Sequence, residues 1–491
     1  MTITFSEVPQ ALRYPGVYIE IDGSQAGLGA DLPVVLLVGQ KLDTGSAPAG
    51  EVVRITSVED AVKKAGAGSM LAQMAAAYRR ADQTFDLFML PYADNAAGVQ
   101  ATGSITVTTP ATEAGTLALY VAGKPICVGV QASVAAADIA AAIAEAITAA
   151  GDDIPVTAEA SDATVTLTAR HKGTCGNAID LRLGLYEEPM PENLVLNIAG
   201  MAGGTGDPLP GDLPSLIGER WFRYVAMGIN DAATLAAWHA ESRRRYAVPV
   251  QAGFRVFTAY RGTYGEAAAF GETKNYEHLS CAWLAVNPAS VWEAAAAICG
   301  AAAPRLYNNP VISLEGTPVP GLVADVSYND FSLGNSLLFK GMSILEVGKD
   351  GAVYIKRLIT MYQARSDGSA DDAWLDINVA EAMERIRTEQ RMGAIQQFRG
   401  TVAAKTNEGY RPGLPITTED SVKVFLLSLY QNKLMRELGW VQAYGYYKGS
   451  LIVEQDPGNP SRFNFRDDPV INSPFYILAG RSRFRKTEPN Y

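Results

Sequence analysis

The chain has 491 residues. A single hydrophobic core rarely accommodates so many, so we expect two to four domains. Hydrophobic residues make up 48% and charged residues 19%, a balance typical of folded globular proteins and not of disordered ones. The net charge of −11, from 41 basic and 52 acidic residues, argues against nucleic-acid binding except through a local basic patch.

Cysteine spacing and hydropathy narrow the class of protein further. The four cysteines have no C-x-x-C spacing, which disfavours a disulfide framework and a zinc site. The Ala-rich run 134–150 contains Asp138 and Glu145 and follows a helical period, so we do not expect it to span a membrane. The N-terminus has no basic region followed by an apolar stretch. We therefore expect the protein to stay in the cytosol unless it leaves as part of something larger.

A short predicted strand stands apart near the N-terminus. In "RYPGVYIEI", residues 13–21, β-branched residues alternate with Tyr18 and Glu20. A Pro-Gly pair interrupts the chain just before the strand, and "DGS" interrupts it just after. The sequence shows no neighbouring strand with which it would pair.

The first globular region is predicted to be α/β. The continuous apolar run "PVVLLVG" is typical of a strand that is buried on both faces, and "EVVRIT" and "FDLFMLPY" are further strands. Ser57, with Asp60 three residues later, predicts the start of a helix that runs to about Arg80.

From about residue 95 the pattern changes to Thr- and Val-rich strands. "GSITVTT" and "TLALYVAG" are followed by an Ala-rich helix at about 135–149. "PVTAEASDATVTLTAR" then reads as a hairpin that turns at Ser161-Asp162. We interpret this β-β-α-β-β unit as a small domain inserted into the first, ending in the Gly- and Pro-rich linker "GMAGGTGDPLPGD".

Strands and helices then alternate again. The strands "FRYVAMGI", "AGFRVFTAY" and "LSCAWLAV" are separated by a helix opened by Asp231 and by the short helix "YGEAAAFGETK". A further helix is capped at Ser290. This alternation favours a parallel sheet with right-handed crossovers.

The last third is predicted to be α+β. "AVYIKRLITMY" alternates as a half-buried strand, and two long helices follow, from about 378 to 399 and from a cap at Thr417. From Trp440 onward we predict no helix, only strand-like pieces such as "SLIVEQ" and "PFYILAG".

Motifs that would carry catalysis or metal binding are weak. The three histidines, His171, His239 and His278, have no His, Cys or paired carboxylate beside them, which favours structural or surface roles. "AGAGSM" lacks the Lys-Ser/Thr of a P-loop and falls inside the predicted helix, and "GGTGDP" precedes a loop and not a helix. The acids of "DDAWLD" fit a solvated helix start better than a cation site, and no G-x-S-x-G motif occurs.

Two small basic patches are interpreted first as solvated surface. One is "ESRRRY", with Arg243 to Arg245, and the other is "RSRFRK" in the C-terminal tail. The tail patch is also a candidate for electrostatic assembly contacts with acidic surface on a neighbouring copy, through Arg481, Arg483, Arg485 and Lys486.

Detached strands at both ends of the chain, without a catalytic constellation, suggest a structural subunit. Unpaired strand edges are normally suppressed because they template pairing between molecules. A strand donated to a neighbour's sheet binds through main-chain hydrogen bonds. The residues that we assign to strand exchange are Tyr14, Pro15, Gly16, Val17, Tyr18, Ile19, Glu20, Ile21, Phe475, Tyr476, Ile477 and Leu478.

Over most of its length the chain resembles contractile phage tail sheath proteins of the Mu-like branch. "RYPGVYIEI" is similar to their N-terminal strand, and "PVTAEASDATVTLTARHKGTCGN" followed by "GMAGGTGDP" is similar to the Mu-like inserted module and its linker. "YNDFSLGNSLLFKGMSILEVGKDGAVYIKRLITMYQ" and "AWLDINVAEAMERIR" resemble the stretches that lead into the inner domain. The chain departs from the family at Ser332-Leu333-Gly334-Asn335, where members often carry a polar Glu-Arg-Asn run, which puts local contacts there in question.

The resemblance implies a multidomain α/β fold with an α/β core, an inserted α+β domain, a C-terminal α+β inner domain and extended terminal arms. The implied domains are an N-terminal strand-exchange arm 1–24, a core of 25–95 and 201–304, an outermost inserted domain 96–200, a tube-facing inner domain 305–445, and C-terminal strands with an arm 446–491. It implies no enzymatic activity, catalytic residue, metal or cofactor; the core is often described as subtilisin-like, but no protease triad is seen here.

The implied function is mechanical. Subunits stack as hexameric rings around a tail tube, and the arms link the rings. On a trigger from the baseplate the rings shorten and widen, and the tube is driven through the host envelope for genome delivery. The implied partners are further copies of the chain, the tail tube protein, and baseplate and tail terminator proteins, with no direct nucleic acid and no membrane insertion. The implied location is the virion tail, after assembly in the host cytoplasm.

Two alternatives remain open from the sequence. The chain could belong to a headless tailocin or another contractile injection system, which sequence does not separate from a phage tail. It could instead be a cytosolic α/β enzyme that binds a nucleotide at its Gly-rich turns; such a protein would bind nucleotide measurably and stay a small oligomer.

Overall fold

The computed structural model describes residues 33–248, 250–324, 326–411 and 413–486. Helices and strands are mixed in several sheets, which confirms the predicted α/β class. The strands are β1 Val34–Gln40, β2 Val53–Ile55, β3 Asp86–Tyr92, β4 Gln100–Thr109, β5 Gly115–Val121, β6 Lys124–Val130, β7 Val156–Ser161, β8 Thr164–Lys172, β9 Leu181–Leu183, β10 Val195–Ala202, β11 Phe222–Met227, β12 Arg255–Tyr260, β13 Leu279–Trp283, β14 Thr317–Pro318, β15 Ile344–Val347, β16 Val353–Arg357, β17 Val402–Ala403, β18 Ile416–Thr417, β19 Val441–Gln442, β20 Ile452–Gln455, β21 Phe463–Arg466 and β22 Val470–Ile471.

The α-helices are α1 Val58–Ala65, α2 Met70–Ala81, α3 Ala136–Ala150, α4 Leu213–Ile217, α5 Ala232–Tyr246, α6 Tyr264–Glu272, α7 Val291–Asn308, α8 Phe331–Leu338, α9 Ile377–Phe398, α10 Glu419–Ser428 and α11 Tyr444–Ser450. Short 3-10 segments occur at Gly151–Asp153, Thr174–Ala178 and Val326–Asn329. Helix α10 continues as a π-helical segment, Leu429–Glu437.

The core is a six-stranded sheet in the order β13-β12-β11-β1-β3-β2. Its first five strands run parallel, as the strand–helix alternation predicts, and β2 pairs antiparallel at the edge. Residues 35–38 of β1 are fully buried, which confirms a strand covered on both faces. Helices α2 and α7 pack on each other and on the central strands.

The prediction of one helix from Ser57 to about Arg80 is wrong. Ser57 does cap a helix, accepting the amide of Asp60, but the helix ends at Ala65. Gly66 and Gly68 then adopt φ values of 92° and 77°, which suit glycine and break the helix. Ser69 caps the second helix, α2. The Gly-rich turn therefore lies between two helices and not inside one.

The inserted region holds more strands than the β-β-α-β-β pattern predicts. Its strands form two sheets, β10-β4-β8-β7 and β6-β5-β9, and α3 packs against β6 and β7. The pattern missed β6, β9 and β10. The hairpin turn was predicted correctly, with Asp162 at a φ of 50° between β7 and β8. The chain enters and leaves this region side by side, because Val99 and Thr205 exchange backbone hydrogen bonds of 2.8 and 3.1 Å.

Two predictions for the C-terminal helices are wrong. The cap of α10 is Thr418, whose hydroxyl accepts the amide of Ser421, and not Thr417, which ends β18. The prediction of no helix after Trp440 is also wrong, because α11 follows β19. Aromatic residues explain this helix: the ring of Tyr447 on α11 stacks on that of Tyr430 at 3.7 Å, inside a second core that contains Trp440. Tertiary packing therefore outweighs the two glycines of "YGYYKGS".

Helix α9 joins the C-terminal region to the core sheet through buried charges. The carboxylate of Glu381 is 1% exposed and lies 3.2 Å from Nε of Arg223 and 3.6 Å from Nε of Arg255. Arg255 also donates to the carbonyl oxygen of Ala380, and the hydroxyl of Tyr224 lies 3.2 Å from Oε1 of Glu381. Sheet and helix are thus connected by ion pairs shielded from water.

Candidate assembly site

The C-terminal segment, residues 474–486, is extended and unpaired. Asn472 donates its amide to the carbonyl oxygen of Trp440 at 2.9 Å, and after that residue no backbone–backbone hydrogen bond or strand occurs in the described part of the tail. Apolar side chains of the segment face solvent: Phe475 is 71% exposed, Ile477 78%, Leu478 86% and Phe484 88%. The segment predicted as a strand thus has strand-like side chains and backbone groups without a partner strand in the described structure.

Tyr476 is the exception within this segment. Its ring lies under the guanidinium of Arg357, 4.6 Å from the centroid, and its hydroxyl is 3.5 Å from Oδ1 of Asn378. Burial, with the nearby carboxylate of Asp376, raises the pKa of Tyr476 above its ordinary value. The side chain is half-buried and, with Ile477, lines a cavity of about 460 Å³ between α8 and the sheet β14-β16-β15.

The basic tail patch lies on this exposed segment. Arg481, Arg483, Arg485 and Lys486 are exposed, and none forms an ion pair with another described residue. Their assignment as electrostatic assembly contacts stays a prediction. The N-terminal residues assigned to strand exchange, Tyr14, Pro15, Gly16, Val17, Tyr18, Ile19, Glu20 and Ile21, lie outside the described residues.

A small hairpin, β20–β21, precedes the tail in sequence, separated from it by β22. Its strands pair antiparallel from Ile452↔Arg466 to Gln455↔Phe463, and Asp456 stabilises the turn by accepting the amides of Gly458 and Asn459. Helix α10 covers part of the β20 edge, since Glu419 accepts the amide of Gln455 at 2.8 Å. The edge of β21 that faces away from β20 has no partner strand among the residues that the structure describes.

A groove of about 520 Å³ runs beside this hairpin, between α9 and α10. Four phenylalanines line it: Phe398, Phe425, Phe463 and Phe465. Phe463 and Phe465 stand on one face of β21 because side chains two residues apart on a strand point the same way. The other side of the groove is polar and basic, with Arg387 and Arg391. The free edge of β21 therefore borders a surface with both apolar and cationic character.

Each of the three histidines contacts other side chains or backbone groups of the fold. His171 bridges the inserted region and the core: its Nδ1 lies 3.0 Å from Asp94, and its Nε2 accepts the amide of Met70 at the start of α2. His239 lies 3.6 Å from Glu277, and burial lowers its pKa. His278 is 1% exposed with Nδ1 2.9 Å from the Ser242 hydroxyl, and burial holds its pKa well below the ordinary value.

The glycine turns and acidic motif also contact their own chain. At the first turn, the Met70 amide that opens α2 already donates to His171. At the second, the Gly204 amide donates to Asn177 and Asp207 accepts from Thr174. The acids of "DDAWLD" accept from cations and a phenol, including Arg357 on Asp376 and both Arg365 and the Tyr362 hydroxyl on Asp371.

The interpretation of "ESRRRY" as solvated surface is wrong for Arg245. That side chain is 1% exposed and pairs with the buried carboxylate of Glu241 at 2.7 Å, one helical turn earlier. It also donates to the carbonyl oxygens of Gly218 and Arg220. Arg243 does lie at the surface, with a side chain 67% exposed. The i,i+4 spacing of Glu241 and Arg245 was the signal for this pair.

Metal-binding clusters and membrane-spanning helices are absent from the part of the chain that the structure describes. Among the described residues, no cluster of three or more His, Cys, Asp or Glu side chains is arranged to hold a metal ion. Of the helices in the described ranges, none is both long and apolar enough to cross a membrane.

Comparison with known proteins gives a relative over the full length. The Mu-like prophage FluMu tail sheath protein of Haemophilus influenzae is 32% identical over 490 residues, which cover 99% of this chain and 100% of the relative. No family model matches the chain.

Solved structures of sheath proteins align with the fold at low identity. The sheath tail protein of Desulfitobacterium hafniense is 13% identical with a TM-score of 0.47, covering 93% of this chain and 100% of that one. The Listeria innocua sheath tail protein is 13% identical with a TM-score of 0.48, covering 90% and 92%. The contracted helical sheath of the anti-feeding prophage is 12% identical with a TM-score of 0.45, covering 98% and 100%.

Proposed function

Since this chain belongs to the tail sheath proteins of Mu-like phages, we propose that it is the repeating subunit of a contractile sheath. In this proposal subunits stack as hexameric rings around a tail tube and contract to drive the tube through the host envelope. The partners are other copies of the chain, the tail tube protein, and baseplate and terminator proteins. Assembly takes place in the host cytoplasm, and the product is part of the virion. The role is structural and not enzymatic.

The observation that carries the proposal is the unpaired C-terminal segment. Exposed apolar side chains at Phe475, Ile477, Leu478 and Phe484 are costly in a protein that remains monomeric, because apolar surface is better removed from water. An extended backbone without partners is a template for adding a strand to another sheet. Both features are accounted for if the segment binds a neighbouring subunit.

The hairpin β20–β21 offers a place for such a strand. Its free β21 edge presents backbone donors and acceptors, and the groove with Phe463 and Phe465 accepts apolar side chains from an added strand. About four backbone hydrogen bonds at ~1 kcal/mol net each would make a modest link per contact. Repetition of this link between all neighbouring subunits would make the polymer strong and still permit rotation of the subunit bodies.

The same reasoning extends to the N-terminal arm, residues 1–24. Its strand, "RYPGVYIEI", lies outside the described residues, so its exchange rests on the sequence pattern and on the family. Pro15-Gly16 and Asp22-Gly23 flank it and would act as hinges.

Negative-stain electron microscopy of the purified protein tests the proposed function. We expect hollow tubes with cogwheel-shaped end views, whose number rises with protein concentration. Uniform small particles at all concentrations and salt conditions would contradict the proposal. Deletion of residues 1–21 should leave a folded subunit that does not polymerise, and circular dichroism checks the fold. Loss of the folded spectrum after this deletion would show that the strand belongs to its own subunit's core.

A further inference from the structure

We propose that Tyr476 is an anchor that holds the C-terminal segment on its own subunit, so that the exchanged part of the arm begins at Ile477. This inference rests on the proposed strand exchange for its role in assembly, and on contacts within one chain for the anchor itself. It divides the predicted exchange segment, Phe475 to Leu478, into a retained part and a released part.

The groups that seat Tyr476 are held by contacts that do not involve the tyrosine. Nε and Nη2 of Arg357 each lie 3.1 Å from an oxygen of Asp376, which fixes the plane of the guanidinium. Asn378 is held by its side-chain amide, which donates to the carbonyl oxygens of Pro310 and Ile312 at 2.8 and 2.9 Å. A flexible segment that binds a preformed site loses less free energy to ordering than one that must build its site.

Three contacts hold the tyrosine in this seat. The Arg357 guanidinium lies 4.6 Å from its ring centroid, within the range of a cation–π interaction. Its hydroxyl approaches Asn378 at 3.5 Å and also interacts with the side chain of Ser313, and the tyrosine is half-buried. The neighbours Phe475 and Ile477 are 71% and 78% exposed, so of these three side chains Tyr476 makes the main contact with the body of the subunit.

The geometry on either side of Tyr476 fits an anchor. The last backbone hydrogen bond to the body is made by Asn472, four residues earlier. Beyond the anchor, residues 477–486 carry the exposed apolar side chains and the basic patch. Ten extended residues span roughly 33–36 Å, at 3.3–3.6 Å per residue. In the proposed assembly a tail of that length would extend to a neighbouring subunit, and a fixed starting point would limit which neighbour it meets.

The first experiment measures the anchor in the dissociated subunit, and does not depend on assembly. A nitroxide is attached at Leu478→Cys in a Cys127→Ser background, because Cys127 is the exposed cysteine and Cys175, Cys281 and Cys299 are buried. Electron paramagnetic resonance then gives the ratio of mobile to immobilised label. We expect Tyr476→Ala to raise this ratio about tenfold and Tyr476→Phe, which keeps the ring under Arg357, to change it less than twofold.

A matched control and an assembly test complete the design. Phe475→Ala removes an exposed aromatic ring next to the anchor and should leave label mobility unchanged. An unchanged ratio in Tyr476→Ala, or an equal rise in Phe475→Ala, would overturn the anchor.

In assembled tubes, a flexible bismaleimide linking Phe331→Cys on the pocket wall to Phe475→Cys, again without Cys127, should give products of one-chain mass. Products of two or more chains would show that this part of the segment is exchanged and would overturn the proposal. Should no tubes form, the proposed function fails while the mobility ratio still decides the anchor.

Discussion

Neutralising Glu381 should detach helix α9 from the core sheet. In Glu381→Gln the amide keeps the shape of the side chain and can still accept from the Tyr224 hydroxyl. The substitution removes the negative charge that lies 3.2 Å from Nε of Arg223 and 3.6 Å from Nε of Arg255. Burial by itself lowers the pKa of Arg223, but the Glu381 carboxylate, together with Tyr224, Glu384 and Tyr307, outweighs burial and leaves that pKa raised.

The expected loss follows from burial. Glu381 is 1% exposed and the Arg255 side chain 0%, so water cannot replace the missing charge. Breaking a buried pair from one side costs about 3–5 kcal/mol, against a typical total stability of about 5–15 kcal/mol. Because a multidomain chain does not unfold in two states, hydrogen exchange is the suitable assay. Amides in the first half of α9 should exchange about two to nearly four orders of magnitude faster than in the parent chain.

Two further variants make this reasoning refutable. The exposed pair Arg54–Asp86 is as short as 2.7 Å but has side chains 59% and 52% exposed, so Asp86→Asn should cost at most about 1 kcal/mol. Equal effects of Glu381→Gln and Asp86→Asn would refute the role of burial. Adding Arg255→Met to Glu381→Gln should recover part of the loss, since it removes a buried charge left without its partner. If the stability lost in the double variant equals the sum of the losses in Glu381→Gln and Arg255→Met, the explanation by buried charge would also be contradicted.

Three other outcomes are expected. Because burial lowers the pKa of His278 well below its unfolded value of 6.5, the unfolded chain binds a proton that the folded chain excludes as pH falls below 6.5. Hydrogen exchange of the β13 amides at pH 7.5 and 5.5, corrected for the intrinsic pH dependence of exchange, should show wild type losing about 1.4 kcal/mol more protection than His278→Gln, and equal losses would contradict this. A thiol reagent should modify Cys127 at once in the native protein and the three buried cysteines only after denaturation; burial raises the pKa of two of them to about 12, and rapid native labelling of four thiols would be inconsistent with the fold. Reversing Arg483 and Arg485 to Glu should reduce tube formation at low salt, measured by pelleting, and unchanged assembly would refute electrostatic contacts by the tail.

Elements defined by local pattern were predictable from the sequence. The apolar run of β1, the Asp231 cap of α5 and the turn at Asp162 each depend on neighbouring residues, and the structure has all three. The break at Gly66 and Gly68 was visible in "AGAG", but the helical period on both sides hid it. Two glycines at positive φ outweigh that period.

Features defined by long-range contacts could not be read in this way. Helix α11 exists because Tyr447 stacks on Tyr430, and Arg245 is buried because carbonyl oxygens from another loop accept its hydrogen bonds. At the candidate site, alternation identified the tail as strand-like, but the alternation could not show that the ring of Tyr476 packs against Arg357 of its own subunit. Arg357, which forms the seat, lies more than a hundred residues away in the chain.

The side-by-side entry and exit of the inserted region have a consequence for how such proteins can change. Val99 and Thr205 are hydrogen-bonded neighbours, so the chain returns to the core at the place where it left. The six strands of the core sheet lie outside residues 99–205, and their order does not depend on what this loop contains. Evolution can therefore enlarge, exchange or remove the insertion without rethreading the core. An engineer could use the same junction to graft a foreign domain onto every subunit.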